Sequence, residues 1–485
     1  MRAAALALAS AALLATVGRP WAPGVLAWVA LVPLWIALAD ARRWPAAAAL
    51  GWLAMLGAGV VAFEGLAPAA PWAYPALVAI AGLPGAAAAV LWWRIRGRLG
   101  TFAGWAALPL LWTVADFLPG RRALLGDFAT VVSVATSQFD TPLRSLAGWG
   151  GTAAVTLALL TVNLGVLLAL RRRWAAAAWL IAAPIAWSLL PVPGGNVVAA
   201  GRESLRVALV QGAVPSVETL FARFDRASAE RMLAPYAALT AMAVERGAEL
   251  VVWGETVLPQ VVVPGETPPL VAAALAPAPV ALVGGVSFVG GATFNSVFHW
   301  QDGVLTEVYR KQALVPFNER QYTAGGPLPP LDVDGAAIGL GVCLDSVHAG
   351  LSRTSVHAGA RLLVVVTEDG FAGRTVMPEL HLRASAFRAI ETGRWLVFAN
   401  QSGPSAVVDP RGRVVQRIPH GERGAVLAEV PLLAGVTPFV RWGEWVGVVA
   451  TLAAAALVVR GWGARPTPSR SGAASAAPTL RVEPP

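Results

Sequence analysis

The hydrophobic pattern changes character twice along the 485 residues. Seven apolar runs come first, at about 3–18, 24–40, 46–63, 73–93, 101–118, 150–170 and 174–191, and an eighth follows at about 443–459. Each approaches the roughly 17–25 residues that a membrane-spanning helix needs. The first, behind Met1-Arg2, also has the outline of a cleaved signal peptide. Between the seventh and eighth runs the period shortens. Brief β-branched or apolar stretches recur at Arg206 to Gln211, Leu250 to Trp253, Val280 to Val283, Ala337 to Val342, Leu362 to Val366, Trp395 to Ala399 and Ala406 to Val408. Two helical patterns separate some of them, about Leu220 to Arg246 and Pro378 to Thr392. Strands alternating with helices predict an α/β domain whose central strands are covered on both faces.

The expected organisation is therefore a membrane domain over 1–195 with about seven spanning helices, an α/β domain over 203–432, a last spanning helix over 436–461, and a Pro/Ser/Ala-rich disordered tail over 462–485. Composition agrees. Hydrophobic residues make up 56% of the chain and charged residues only 13%, against about 25% charged in ordinary soluble domains. Acids are concentrated between 203 and 430, as in a polar domain set between membrane segments. The net charge of +9 does not imply nucleic acid, because many arginines flank the apolar runs. Counted over alternate loops, Arg2, Arg42 and Arg43, Arg94 to Arg98, Arg171 to Arg173, and Arg460, Arg465 and Arg470 fall on one side. The opposite side has Arg19 and, over a loop of about 30 residues, Arg121, Arg122 and Arg144. The positive-inside rule makes the first set cytoplasmic and puts the α/β domain outside the membrane.

Two singular residues carry the chemistry. Cys343 is the only cysteine, in Gly341-Val342-Cys343-Leu344-Asp345, and Lys311 is the only lysine among 37 basic residues. A lone cysteine is a buried hydrophobe or a reactive thiol. Lysine kept at one place in an arginine-rich chain suggests a need for a compact, titratable ammonium. Glu255 and Cys343 each follow a predicted strand, where open α/β sheets place their sites. A cysteine nucleophile needs a base for its proton and a positive group for the oxyanion. A carboxylate and an ammonium can supply these, and His348 is the runner-up base. Taken singly, Glu255 also reads as a helix-start acid, Lys311 as a surface charge and Cys343 as core filler. No metal-ligand cluster or phosphate-binding glycine loop stands out.

In order and context, Glu255, Lys311 and Cys343 resemble the Glu-Lys-Cys triad of the nitrilase, or carbon-nitrogen hydrolase, superfamily. With helices before and after the domain, the chain resembles the apolipoprotein N-acyltransferases. The matching pieces are Val207 to Gly212, Trp253-Gly-Glu-Thr-Val-Leu-Pro259, Lys311 with Leu314-Val-Pro-Phe-Asn-Glu319, Gly341 to Asp345, Arg388-Ala-Ile-Glu-Thr-Gly-Arg394, Asn400-Gln-Ser-Gly403 and Val408 to Gly412. The resemblance implies an αββα sandwich and acyl transfer through a thioester on Cys343, from a phospholipid to the α-amino group of a diacylglyceryl-apolipoprotein. Glu255 would be general base and acid. Lys311 and the Leu344 backbone N–H would hold the oxyanion, and Glu319, otherwise a turn residue, would support the site. It further implies no cofactor, no metal, a monomer, and a bacterial inner membrane with the sandwich on the periplasmic side. Asp345 stands where the family has glutamate, Asn318 where it has glycine, and Glu368-Asp369-Gly370-Phe371 lacks the family's tryptophan. The Glu319–Cys343 segment is also short. A membrane-anchored amidase, an N-acyltransferase with another amine acceptor and a non-catalytic lipid-binding scaffold remain alternative readings.

Overall fold

The computed structural model describes residues 1–463 except 68–70, 119–132, 196, 215–217, 220–221, 223, 264 and 316–317. The tail from 464 onward, Arg121 and Arg122, Leu220, and Pro316 and Phe317 thus lie outside the described residues. All eight apolar runs are helical. They form α1 (Arg2–Val17), α2 (Val32–Ala39, preceded by a 3-10 turn Gly24–Val29), α3 (Trp44–Ala62), α4 and α5 (Tyr74–Ala81 and Leu83–Ile95), α6 (Thr101–Phe117), the short α7 (Ala147–Gly150) leading to α8 (Thr152–Leu170), and α9 (Trp174–Ser188). Four described segments are long and apolar enough to cross a membrane: Trp44–Ala62, Tyr74–Ile95, Thr152–Leu170 and Trp445–Gly463. The other four apolar helices are shorter.

The second run is broken rather than continuous, and its break is chemically closed. Pro33 has no N–H to give, so the chain restarts there. Asn163 of α8 accepts from Leu31 N at 3.0 Å and donates to Ala27 O at 2.9 Å, while Ser10 Oγ accepts from Leu34 N. Inside a bilayer such freed backbone groups need protein partners, and these side chains supply them. Trp462 and Gly463, expected to begin the tail, form the last turn of their helix.

The polar region folds into two stacked sheets. The first contains β1 (Ser204–Gln211), β2 (Leu250–Trp253), the short β3 (Val261–Val262), β4 (Val280–Val289), β5 (Ala292–Gln301), β6 (Val304–Arg310) and β13 (Gly424–Pro431), in the order β13-β1-β2-β4-β5-β6 with β3 on β4. The second holds β7 (Leu331–Val333), β8 (Ala336–Val342), β9 (Leu362–Thr367), β10 (Leu396–Asn400), β11 (Ser405–Val408) and β12 (Val414–Ile418), in reverse chain order. The strands β1-β2-β4 and β8-β9-β10 run parallel.

Alternation along each strand decides which layer its side chains join. Val207 and Leu209 of β1 and Leu362, Val364 and Val366 of β9 meet in the core between the sheets. Ala208 and Val210 turn the other way, toward α10 (Arg226–Glu245) and α11 (Pro269–Leu275). Leu363 and Val365 likewise face α13 (Met377–Thr392), on which Leu382, Phe387 and Ile390 are buried. The layers are α, β, β, α. The outermost helix is not exposed to water, because the same core includes Leu146, Val155 and Leu159 of the membrane region and Phe439 of α14 (Pro438–Trp442). The remaining helices are α12 (Ala349–His357) and α15 (Trp445–Gly463).

Candidate active site

Glu255, Cys343, Asp369 and Asn400 follow or end β2, β8, β9 and β10 at their carboxyl ends, and Lys311 immediately follows β6. Two glycines let the first of these ends close up. A Cβ on Gly284 would lie 2.4 Å from Gly254 O and 2.5 Å from Glu255 Cα, and one on Gly254 would lie 2.4 Å from Gln401 N. Glu255 is thereby packed against β4 and the end of β10 with no side chain between.

The Glu255 carboxylate accepts from Asn295 Nδ2 at 2.6 Å, from Lys311 Nζ at 3.3 Å and from the Glu368 backbone N–H at 2.9 Å. Lys311 also donates to Glu319 at 2.8 Å, and the other Glu319 oxygen accepts from Val315 N at 2.7 Å. Lys311 is only 1% exposed, which removes the reading of a surface charge. Glu319 likewise does more than shape a turn. Asn295, on a strand that the sequence pattern did not reveal, bridges both carboxylates, reaching Glu319 at 3.3 Å.

Cys343 sits where β8 passes into a 3-10 turn, Cys343–Val347, with φ +47°. That left-handed conformation is costly for a residue with a Cβ and persists only when surroundings enforce it. Cys343 is half-buried and packs at the margin of two apolar clusters. Leu344 opens the same turn, and the first amides of a helical turn have no acceptor within it. Asp345 fastens the turn to the lysine segment. Its carboxylate accepts from Ala313 N at 2.7 Å, Gln312 N at 3.1 Å, Val342 N at 3.1 Å and Tyr309 OH at 3.0 Å.

The electrostatics describe a resting thiol rather than a preformed thiolate. Burial, then the neighbouring Glu255 charge, pushes the Cys343 thiol well above its ordinary value, with Lys311 opposing. Burial also raises Glu255, again opposed by Lys311, which moves this carboxylate toward the range of a useful base. Burial disfavours the Lys311 charge, but Cys343 in its thiolate form, with Glu255 and Glu319, outweighs it and holds the ammonium well above the lysine range. Burial lifts Asp345 to about 6 against the pull of its donors, so it is ionised at neutral pH.

His348 is the histidine nearest to Cys343 in sequence. It lines a 390 Å³ cavity with Asp116, Thr152 and Arg388. His381 approaches the nucleophile instead, with Nε2 3.3 Å from Cys343 O and Nδ1 2.9 Å from Asp369. The signal for it was faint: a polar residue after one predicted strand and a histidine on one predicted helix.

Comparison with known proteins agrees with this architecture. The carbon-nitrogen hydrolase family matches residues 206–435, and the apolipoprotein N-acyltransferase N-terminal domain matches residues 10–165. The apolipoprotein N-acyltransferase of Gloeobacter violaceus is 30% identical over 87% of this chain and 87% of its own. That of Azotobacter vinelandii is 29% identical over 77% and 72%. Among solved structures, Saccharomyces cerevisiae Nit3 of the nitrilase superfamily aligns with 49% of this chain and 93% of its own, at 19% identity and a TM-score of 0.39. A Nesterenkonia amidase aligns with 49% and 94%, at 20% and 0.38. With both family domains in order along one chain and a relative matched over nearly its whole length, the chain belongs to the apolipoprotein N-acyltransferase family.

Proposed function

We propose that this protein moves a fatty acyl group from a phospholipid to the α-amino group of the N-terminal diacylglyceryl-cysteine of apolipoproteins, through a thioester on Cys343. The observation that carries the proposal is the buried Glu255–Lys311–Glu319 cluster facing a strained cysteine at the end of β8. Glu255 takes the thiol proton as sulfur attacks the ester carbonyl. Lys311 and the Leu344 N–H receive the developing oxyanion. Collapse breaks the ester C–O bond, and Glu255 returns its proton to the departing lysophospholipid oxygen. The amine then attacks the thioester, Glu255 accepts its proton, and the thiol leaves reprotonated.

The membrane region supports a lipid donor. Val61 of α3 and Ala15 of α1 share one apolar cluster with Ala313, Cys343, Leu344, Val347 and Leu380. An acyl chain entering between those helices would meet apolar side chains up to the nucleophile, and confinement beside it raises the effective concentration of a lipid ester. In this reading residues 203–432 are the catalytic unit and lie on the extracytoplasmic side of a bacterial cytoplasmic membrane.

The test is incubation of the purified, detergent-solubilised protein with phospholipid. A hydroxylamine-sensitive acyl adduct at Cys343 is expected, absent in Cys343→Ala. An adduct that persists in that variant would sink the thioester. Rescue of a strain depleted of its own lipoprotein N-acyltransferase tests the acceptor, and failure by an acylating protein would point to a different amine.

A further inference from the structure

The helix behind the nucleophile grips its turn at three points. Residues 381, 385 and 388 of α13, spaced four and three apart, lie on one helical face. His381 Nε2 lies 3.3 Å from Cys343 O and 2.9 Å from Ser346 Oγ. Ser385 Oγ is 2.7 Å from Ser346 Oγ, and Arg388 donates to Val347 O at 2.7 Å. Ser346 Oγ in turn donates to Cys343 O at 2.7 Å. The histidine is itself aligned from behind. Asp369 accepts from His381 Nδ1, and Asn400 Nδ2 donates to the second Asp369 oxygen at 2.6 Å. Asp369, His381, Ser385 and Ser346 are all buried.

We propose that His381, oriented by Asp369, is a positioning residue for acyl transfer: its Nε2–H is shared between the Cys343 carbonyl and Ser346 Oγ, the hydroxyl that donates to that carbonyl, and so keeps the nucleophile in its left-handed turn. The inference rests on Cys343 being the nucleophile, as proposed above. A turn at φ +47° relaxes unless its carbonyl is fixed, and rotation about the Cys343 N–Cα bond would swing the thiol, the carbonyl and the next N–H together away from the substrate. Ser346 alone supplies one hydroxyl donor to that carbonyl, and His381 supplies a rigid one. An imidazole that donates from both ring nitrogens is cationic. The Asp369 carboxylate stabilises that form: burial acts against the charge, and Asp369 more than compensates.

The test uses two substitutions that divide the imidazole between its two bonds. In His381→Gln the amide nitrogen falls near the Nε2 position and keeps a donor toward Cys343 O. In His381→Asn it falls near Nδ1 and keeps only the Asp369 contact. Single-turnover acylation of Cys343 from phospholipid vesicles is measured per folded molecule, together with the phospholipid KM. His381→Asn is expected to slow acylation on the order of tenfold or more with KM unmoved, and His381→Gln to recover most of that loss. Equal rates in wild type and His381→Asn, or equal impairment of the two variants, would overturn the proposal. If His381→Asn does not fold, Asp369→Asn leaves the imidazole in place but removes the carboxylate that keeps both its ring nitrogens protonated. It is expected to slow acylation at constant KM, and an unchanged rate would overturn the argument. Acylation surviving in Cys343→Ala would instead overturn the thioester reading, which keeps the two failures apart.

Discussion

Replacing Asp345 with asparagine tests how the nucleophile and the lysine are held together. The two carboxylate oxygens divide four donors: Oδ1 takes Ala313 N and the shorter contact from Gln312 N, and Oδ2 takes Val342 N and Tyr309 OH. Asparagine offers one acceptor oxygen and one NH₂ group. With its NH₂ on the Oδ1 side the amide would oppose both Ala313 N and Gln312 N; turned the other way it opposes Val342 N alone, because the Tyr309 hydroxyl can rotate to accept. A buried donor left without an acceptor costs about 1–3 kcal/mol, and the bonds kept lose their charge assistance, so Asp345→Asn should cost roughly 2–3 kcal/mol after local relaxation. The loss falls on the contact that ties Gln312 and Ala313, next to Lys311, to the turn that begins at Cys343. Acylation should therefore drop by more than stability alone explains. The assay pairs urea unfolding in detergent with single-turnover acylation at saturating phospholipid. A destabilisation below about 1 kcal/mol together with a normal acylation rate would refute the clamp. Asp345→Glu, the family's residue, should retain more activity than Asp345→Asn, because it keeps both acceptors.

Lys311→Arg should lose at least about a hundredfold in acylation rate, since a planar fork does not fit a site 1% exposed and bonded to two carboxylates, and near-normal turnover would refute this. Burial raises the Glu368 carboxyl from near 4.5 to about 8, so the folded protein keeps that proton while the unfolded chain loses it, and stability falls as pH rises between those values. The shift sets a ceiling near 5 kcal/mol, and partial exposure of Glu368 reduces it to about 2 kcal/mol. Glu368→Gln should flatten that loss in unfolding midpoints from pH 5 to 8.5, and parallel curves for the two proteins would contradict it. Gly284→Ala would set a Cβ against the backbone of Gly254 and Glu255, and should cost about 2 kcal/mol or more and slow acylation; an unperturbed variant would show that this contact yields.

The membrane helices and parallel strands were legible because their signals are local. A run of about 19 apolar residues, or a β-branched stretch such as Leu362 to Val366, carries its own evidence. The antiparallel hairpins were missed although their turns are written plainly. Gly290-Gly291, Asp302-Gly303 and Asp334-Gly335 each take positive φ at both positions and join β4 to β5, β5 to β6 and β7 to β8. The strands beside them, such as Ala292–Gln301 with His, Asn, Ser and Thr among its residues, are too polar to stand out by hydrophobicity. That omission hid Asn295. The residues behind Cys343 were harder still, because His381 reaches its carbonyl from α13, and Asp369 and Asn400 come together behind that histidine only through the parallel pairing of β9 and β10. Sequence proximity misled at His348, which follows Cys343 by five residues and lies one turn beyond the nucleophile, against the cavity on the membrane side.

The pairing of β1 with β13 has a consequence for how the protein is made. Ser204 lies opposite Pro431 and Gln211 opposite Gly424, so the first strand of the sandwich waits for a partner about 220 residues later. A chain synthesised from its N-terminus exposes that edge until nearly the whole sandwich has been made. The edge is capped only when the segment just before the last spanning helix emerges. Closing so long a loop adds only a logarithmic entropic cost, so the constraint is one of timing rather than of stability. The end of synthesis and completion of the first sheet become nearly one event, and a chain truncated before Gly424 would leave an open β edge.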